Sequence, residues 1–144
     1  MQRFRYKNRF DFSIEIDEEI DTTMPVLKRI IQTYAENAVK HGLFPLEKQG
    51  KLTIVITEKD GFLTICVEDS GIGRKKAAQN KTKSTGKGMK IMQQYFEAFN
   101  ERNQEKITFD FYDLTDENQN PSGTRVSIKI PVRMSFEKNA KRKM

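Results

Sequence analysis

Gln32-Thr33-Tyr34-Ala35-Glu36-Asn37-Ala38-Val39-Lys40-His41-Gly42 lies within an apolar pattern that starts after Pro25 and takes in Val26, Leu27, Ile30, Ile31, Tyr34, Ala35, Ala38 and Val39. Recurrence at i, i+3 and i+4 marks the buried face of one helix, here about 25–41. Pro25 suits the first helical position, and Gly42 is placed to close the helix in a left-handed conformation. Arg29, Thr33, Glu36 and Lys40 then turn away from the apolar stripe, with Asn37 and His41 along one edge. Glu36, Asn37, Lys40 and His41 are presented together. A plain amphipathic helix with a Glu36–Lys40 pair at i, i+4 would explain this much. The segments downstream turn the reading towards a site.

Around this helix the pattern is that of strands. Phe10 to Ile16 alternates with period two. Lys51 to Thr57 and Phe62 to Glu68 are strands joined at Lys59-Asp60-Gly61, and Asp-Gly is a strong hairpin signal. A second helical pattern carries Met89, Ile91, Met92, Tyr95, Phe96 and Phe99, and Met89, Met92, Tyr95, Phe96 and Phe99 are expected in the core. Ile107 to Leu114 alternates again, and a last strand runs from Gly123 to Pro131. This order predicts an α/β two-layer sandwich: a mixed, mostly antiparallel sheet with helices on one face. Residues 1–132 read as one domain and 133–144 as a basic tail.

The chain has 144 residues, 36% hydrophobic and 32% charged, with a net charge of +6. Residues 1–9 and 133–144 each carry +4, which leaves −2 for the body between them. The excess therefore reads as two solvated ends, and no nucleic-acid partner is expected. No apolar run approaches the roughly 20 residues that span a bilayer, and the basic opening does not resemble a secretory leader. One cysteine, Cys66, set in a strand, excludes a disulfide framework and favours a reducing, cytoplasmic setting. One internal block stands apart: Arg74, Lys75, Lys76, Lys81, Lys83 and Lys87, with no acid among them.

Asp69-Ser70-Gly71-Ile72-Gly73 follows a buried strand, and Gly86-Lys87-Gly88 opens a helix. Paired glycines let backbone N–H groups approach an anion, and a helix N-terminus adds its dipole. The lysine-rich run joining them reads as a mobile lid that closes over phosphates. The spacing fits neither the Walker A loop nor the dinucleotide fingerprint.

Together, Glu36-Asn37-Ala38-x-x-His41-Gly42 resembles the N box of the GHKL superfamily, which includes DNA gyrase and the histidine kinases. Asp69-Ser70-Gly71-Ile72-Gly73 resembles its first glycine box, Gly86-Lys87-Gly88-Met89 its second, and Gly123-Thr124 its closing Gly-Thr. Pro25, the Glu-Asn-Ala-x-Lys-His-Gly core and Asn120-Pro121-Ser122-Gly123-Thr124-Arg125 are most similar to sensor histidine kinases that pair with LytTR-type response regulators. The resemblance spans residues 25–131 and implies the Bergerat ATP-binding fold.

It implies ATP and Mg²⁺ as ligands, with Asn37 on the metal and Asp69 on the adenine amine. Gly71, Gly73, Gly86, Gly88 and Met89 would shape the nucleotide pocket. Lys40, His41, Lys83 and Lys87 would offset phosphate charge, and Thr124 would lie near the base. Glu36 stands at a catalytic position. Ser70 replaces a common Asn, which leaves its polar contact open. The implied function is the catalytic domain of a two-component histidine kinase, cytoplasmic, in a parent protein anchored in the inner membrane. Its partners would be a phosphoacceptor histidine outside this chain and a response regulator of LytTR type, with no membrane contact by this domain. The alternative is a stand-alone serine kinase of the anti-sigma-factor type.

Overall fold

Period-two alternation puts every second side chain of a strand on one face of a sheet. In the computed structural model these faces align into rows. The structure describes residues 2–6, 10–21, 23, 25–43, 49–74 and 87–131, with 2–6 and 87 by backbone alone. One sheet contains β1 (Gln2–Tyr6), β2 (Phe10–Ile16), β3 (Gly50–Lys59), β4 (Phe62–Asp69), β5 (Thr108–Thr115) and β6 (Pro121–Pro131). Their spatial order is β1-β2-β3-β4-β6-β5. Only β2 and β3 pair in parallel, and the chain between them holds the helix α1 (Pro25–Ala38). A parallel pair needs such a crossover, whereas the other neighbours pair antiparallel.

Ile16, Ile56, Ile65, Ile128 and Phe109 are register partners across the sheet, and so are Ile14, Ile54, Val67, Val126 and Phe111. The members on β3, β4 and β6 are buried under Leu27, Ile30, Tyr34 and Ala38 of α1 and Met92 and Phe96 of α2 (Lys87–Arg102). Each such aliphatic side chain contributes roughly 1.5–3 kcal/mol of burial. The other face is polar: Glu68 meets Arg125 at 2.7 Å, and Thr53, Thr64 and Ser127 are half-buried beside them. The α/β layering expected from the sequence is therefore present.

Several local expectations change. The Asp60-Gly61 hairpin forms, with φ of 54° and 83° matching its turn type. Residues 2–6, assigned to a solvated end by their charge, instead pair with β2 in register Phe4↔Phe12. Arg3-Phe4-Arg5-Tyr6 does alternate, and basic residues suit a sheet edge. Helix α1 stops at Ala38 and gives way to a π-type turn, Val39–Leu43. Gly42 lies in that turn and not at a left-handed cap, since its φ is not positive. The expected core stripe of Met89, Met92, Tyr95, Phe96 and Phe99 packs as read, while Ile91, outside that list, is 55% exposed. Strand β5 is an edge and is mostly exposed, so its alternation buries little. The 133–144 tail and the lid residues 75–86 lie outside the described residues.

Candidate functional site

The remaining row of register partners, Phe12, Leu52, Asp69, Thr124 and Asp113, starts apolar and turns polar on β4, β6 and β5. Where it turns polar the sheet faces the last turn of α1, and a cavity open to solvent lies between them. Val67, Val126 and Phe111, from the neighbouring row, give it an apolar floor. Asp69 and Thr124 line it from the sheet, Tyr34, Asn37, Ala38, His41 and Gly42 from the helix, and Gly73 and Arg74 from the loop after β4.

Asp69 is 5% exposed. Its Oδ1 accepts the Gly71 N–H at 2.9 Å, and the Thr124 amide also donates to it. Burial nevertheless dominates and pushes the carboxyl from 3.8 up to about 6, against the lowering effect of those two amides; nearby Glu68 adds to the rise. That rise amounts to about 3 kcal/mol at 1.36 kcal/mol per unit, held against the folded state once the group is ionised.

The backbone around Asp69 is closed to within a carbon atom. A Cβ on Gly42 would lie 2.6 Å from Asp69 Oδ1, and one on Gly71 would lie 2.3 Å from the Gly42 carbonyl. Gly123, at φ +142°, faces the Asp69 carbonyl oxygen so closely that a Cβ would lie 1.9 Å from it. The wide π-type turn makes this approach possible, and the Ile72 N–H donates to the Gly42 carbonyl at 3.1 Å. π-type turns inside helices are often found at functional sites. Ser70 supports the loop from below: its Oγ accepts the Lys51 N–H at 2.7 Å, and its own N–H donates to Lys51 O.

Of the residues singled out from sequence, Asn37, His41, Asp69, Gly73 and Thr124 come together on the cavity wall, with Gly71 packed directly behind it. Glu36 and Lys40 are exposed and do not line the cavity; Glu36 accepts from Gln32 Nε2 at 3.2 Å. Gly88 lies in the first turn of α2, where a Cβ would meet Thr33 at an ordinary 3.6 Å, so packing does not demand glycine there. Met89 is half-buried against the core. Lys83 and Gly86 lie outside the described residues, as does the side chain of Lys87.

Sequence reasoning missed Tyr34, Val67, Phe111, Arg74 and Val126 as lining. Four of them read as core, because a pocket floor obeys the same periodicity as a core. Arg74, assigned to the mobile lid, is anchored instead, with its guanidinium on Asp113 at 2.8 and 2.9 Å.

A titration test follows from Asp69. A carboxyl raised to about 6 stabilises the fold fully below about 4, and that contribution is lost as pH rises towards 6. A ligand that donates to the ionised oxygen has the opposite dependence, losing about tenfold in affinity per pH unit below about 6. Adenosine binding from pH 8 to 5, free of phosphate titration, should show that bend. A flat profile would mean that Asp69 does not contact the ligand.

A family model described as histidine kinase-, DNA gyrase B-, and HSP90-like ATPase matches residues 24–134. The sensor histidine kinase YesM of Bacillus subtilis is 31% identical over 134 residues, covering 92% of this chain and 22% of that protein. The sensor protein LytS of Staphylococcus epidermidis is 32% identical over 74 residues, 51% of this chain and 12% of that one. The chain thus spans about a fifth or less of these relatives. Among solved structures, the mycobacterial sensor histidine kinase MprB superposes with a TM-score of 0.59 at 17% identity, covering 86% of this chain and 83% of that one. The nucleotide-free catalytic domain of histidine kinase ThkA gives 0.52 at 21%, covering 85% and 78%. At those identities the likeness is one of fold. Among the described residues, no helix is long and apolar enough to cross a membrane.

Proposed function

The chain belongs to the family of histidine kinase-, DNA gyrase B-, and HSP90-like ATPases, and from that premise we propose that it is the ATP-binding catalytic domain of a two-component sensor histidine kinase. The observation that carries the reading is the buried, hydrogen-bonded Asp69 carboxylate at the wall of an apolar-floored cavity. The two backbone amides that donate to it offset only part of the cost of burying an acid there. An adenine amine would add a further donor to it, while the ring lies on Val67, Val126 and Phe111. The domain is proposed to span residues 1–132.

Magnesium fits the donor set. Among the described residues no group of three or more His, Cys, Asp or Glu could hold a metal. Asn37 offers one neutral amide oxygen at the cavity, which suits an ion that keeps waters and phosphate oxygens as its other ligands. Bound there, the ion would neutralise charge on the transferring phosphate. His41, Lys40 and the lysines 83 and 87 are proposed to offset phosphate charge, with Gly86, Gly88 and Met89 shaping that end of the pocket. Glu36, bonded to Gln32, has no contact with the cavity in this conformation. In Asn37→Ala the Mg²⁺-dependent part of ATP affinity should vanish while the Mg²⁺-free part persists. An unchanged Mg²⁺ dependence would remove Asn37 from the metal.

The phosphoryl group would pass to a histidine outside this chain. His41, the single histidine, is on the nucleotide wall. The parent protein is proposed to be membrane-anchored and to signal to a response regulator of LytTR type. Incubated with γ-labelled ATP, the chain alone should gain no acid-labile phosphate, and an added dimeric phosphoacceptor domain from a related sensor kinase should become labelled. Stoichiometric labelling of His41, or of serine on an added protein in place of the acceptor domain, would contradict the reading.

A further inference from the structure

Asp113 should add a second negative charge to the cavity, yet it is not part of the lining. It is the register partner of Thr124, which lines the cavity and is itself the partner of Asp69. Two carboxylates thus flank one threonine in one row, at a site that must receive a polyanion. What separates them electrically is Arg74. Its Nε and one terminal nitrogen hold both Asp113 oxygens, at 2.8 and 2.9 Å, in the two-pronged geometry that a lysine cannot reproduce. Its guanidinium carbon lies 5.0 Å from the centre of the Phe111 ring. Arg74 and Phe111 both line the cavity.

Resting on the nucleotide reading above, we propose that Arg74 is a positioning residue for the nucleotide: it screens Asp113 from the cavity and holds Phe111 in the floor of the base slot. An exposed ion pair contributes little to folding, on the order of 0–1 kcal/mol, so stability alone gives a poor reason for the arrangement. A carboxylate beside a triphosphate is another matter, because like charges brought together oppose binding and do so more at low salt. Arg74 directly follows Gly73, which has a φ of +86°, and its side chain reaches Asp113 on β5. The glycine turn that carries Asp69 at one end thus delivers Arg74 at the other.

The test is calorimetric binding of ATP and of adenosine to the full chain, for wild type, Arg74→Ala, Arg74→Lys and Arg74→Ala/Asp113→Asn, with a melting curve for each. Arg74→Ala should weaken ATP roughly five- to twentyfold at low salt, and adenosine by no more than about threefold. The double variant should recover most of the loss for ATP. Arg74→Lys should weaken ATP and adenosine alike, each by no more than about threefold, since the charge remains while the guanidinium over Phe111 is gone. Equal losses for both ligands in Arg74→Ala, with no recovery in the double variant, would reduce Arg74 to a structural tie and overturn the proposal. If the wild type binds neither ligand, the nucleotide reading itself fails; binding unaffected by any of these changes sinks only the role of Arg74.

Discussion

Asp69→Asn should lose ATP affinity by roughly 2–4 kcal/mol, about thirty- to a thousandfold, and lose its preference for adenine over guanine. The carboxylate is a pure acceptor in a water-poor position. Adenine presents an amine to it, whereas guanine presents a carbonyl, which would leave two acceptors facing each other. With its oxygen on the Gly71 N–H, an asparagine turns its amide nitrogen to the ligand, which opposes the adenine amine and suits a carbonyl. The fold should not suffer. The variant keeps an oxygen for the Gly71 N–H and no longer holds a charge away from water, so above about pH 6 it should melt at or above the wild-type temperature. The measurement pairs ATP and GTP titrations with thermal unfolding. A variant that melts lower and still prefers ATP would make Asp69 a cap of the loop and nothing more.

Gly123→Ala has the opposite signature, destroying stability first. A methyl there would lie 1.9 Å from the Asp69 carbonyl, at a φ of +142° that side chains rarely adopt. Neither β4 nor β6 can retreat, because both are central strands paired on two sides. A loss of about 3–5 kcal/mol is expected, the range seen when backbone conformation and packing are violated together. Gly61→Ala separates the two causes. Gly61 also has a positive φ, +83°, but open space around it, so it should lose only about 1–2 kcal/mol. Urea unfolding of both variants checks this, and similar losses at the two sites would mean that the contact at Gly123 relaxes easily.

What could be seen in the sequence depended on the kind of signal. The strand faces and the α1 stripe were legible, because burial imposes period two on Ile54, Ile56, Ile65 and Ile128 and period 3.6 on Leu27, Ile30, Tyr34 and Ala38. The residues with distinctive chemistry, Asn37, His41, Asp69 and Thr124, were legible through their order along the chain. Phe111 and Val126 were not, since a ring or methyl under a ligand looks like one under a helix. Gly42 was assigned the wrong physics: a glycine after a helix usually frees φ, whereas this one makes room for the Asp69 carboxylate across the site. Nor could net charge locate β1, whose arginines read as a solvated end until backbone pairing with β2 is seen. Arg74 was hidden in a run of cations, and only its partner Asp113, thirty-nine positions away, sets it apart.

The central claim is that the cavity beside Asp69 is an adenine site. A crystal structure of the chain with a non-hydrolysable ATP analogue and Mg²⁺ tests it most directly. The adenine amine should lie within hydrogen-bond distance of an Asp69 oxygen, about 2.7–3.2 Å, with the ring over Val67, Val126 and Phe111 and the phosphates towards Asn37 and His41. A base bound elsewhere, or one that turns its amine away from Asp69, would contradict it.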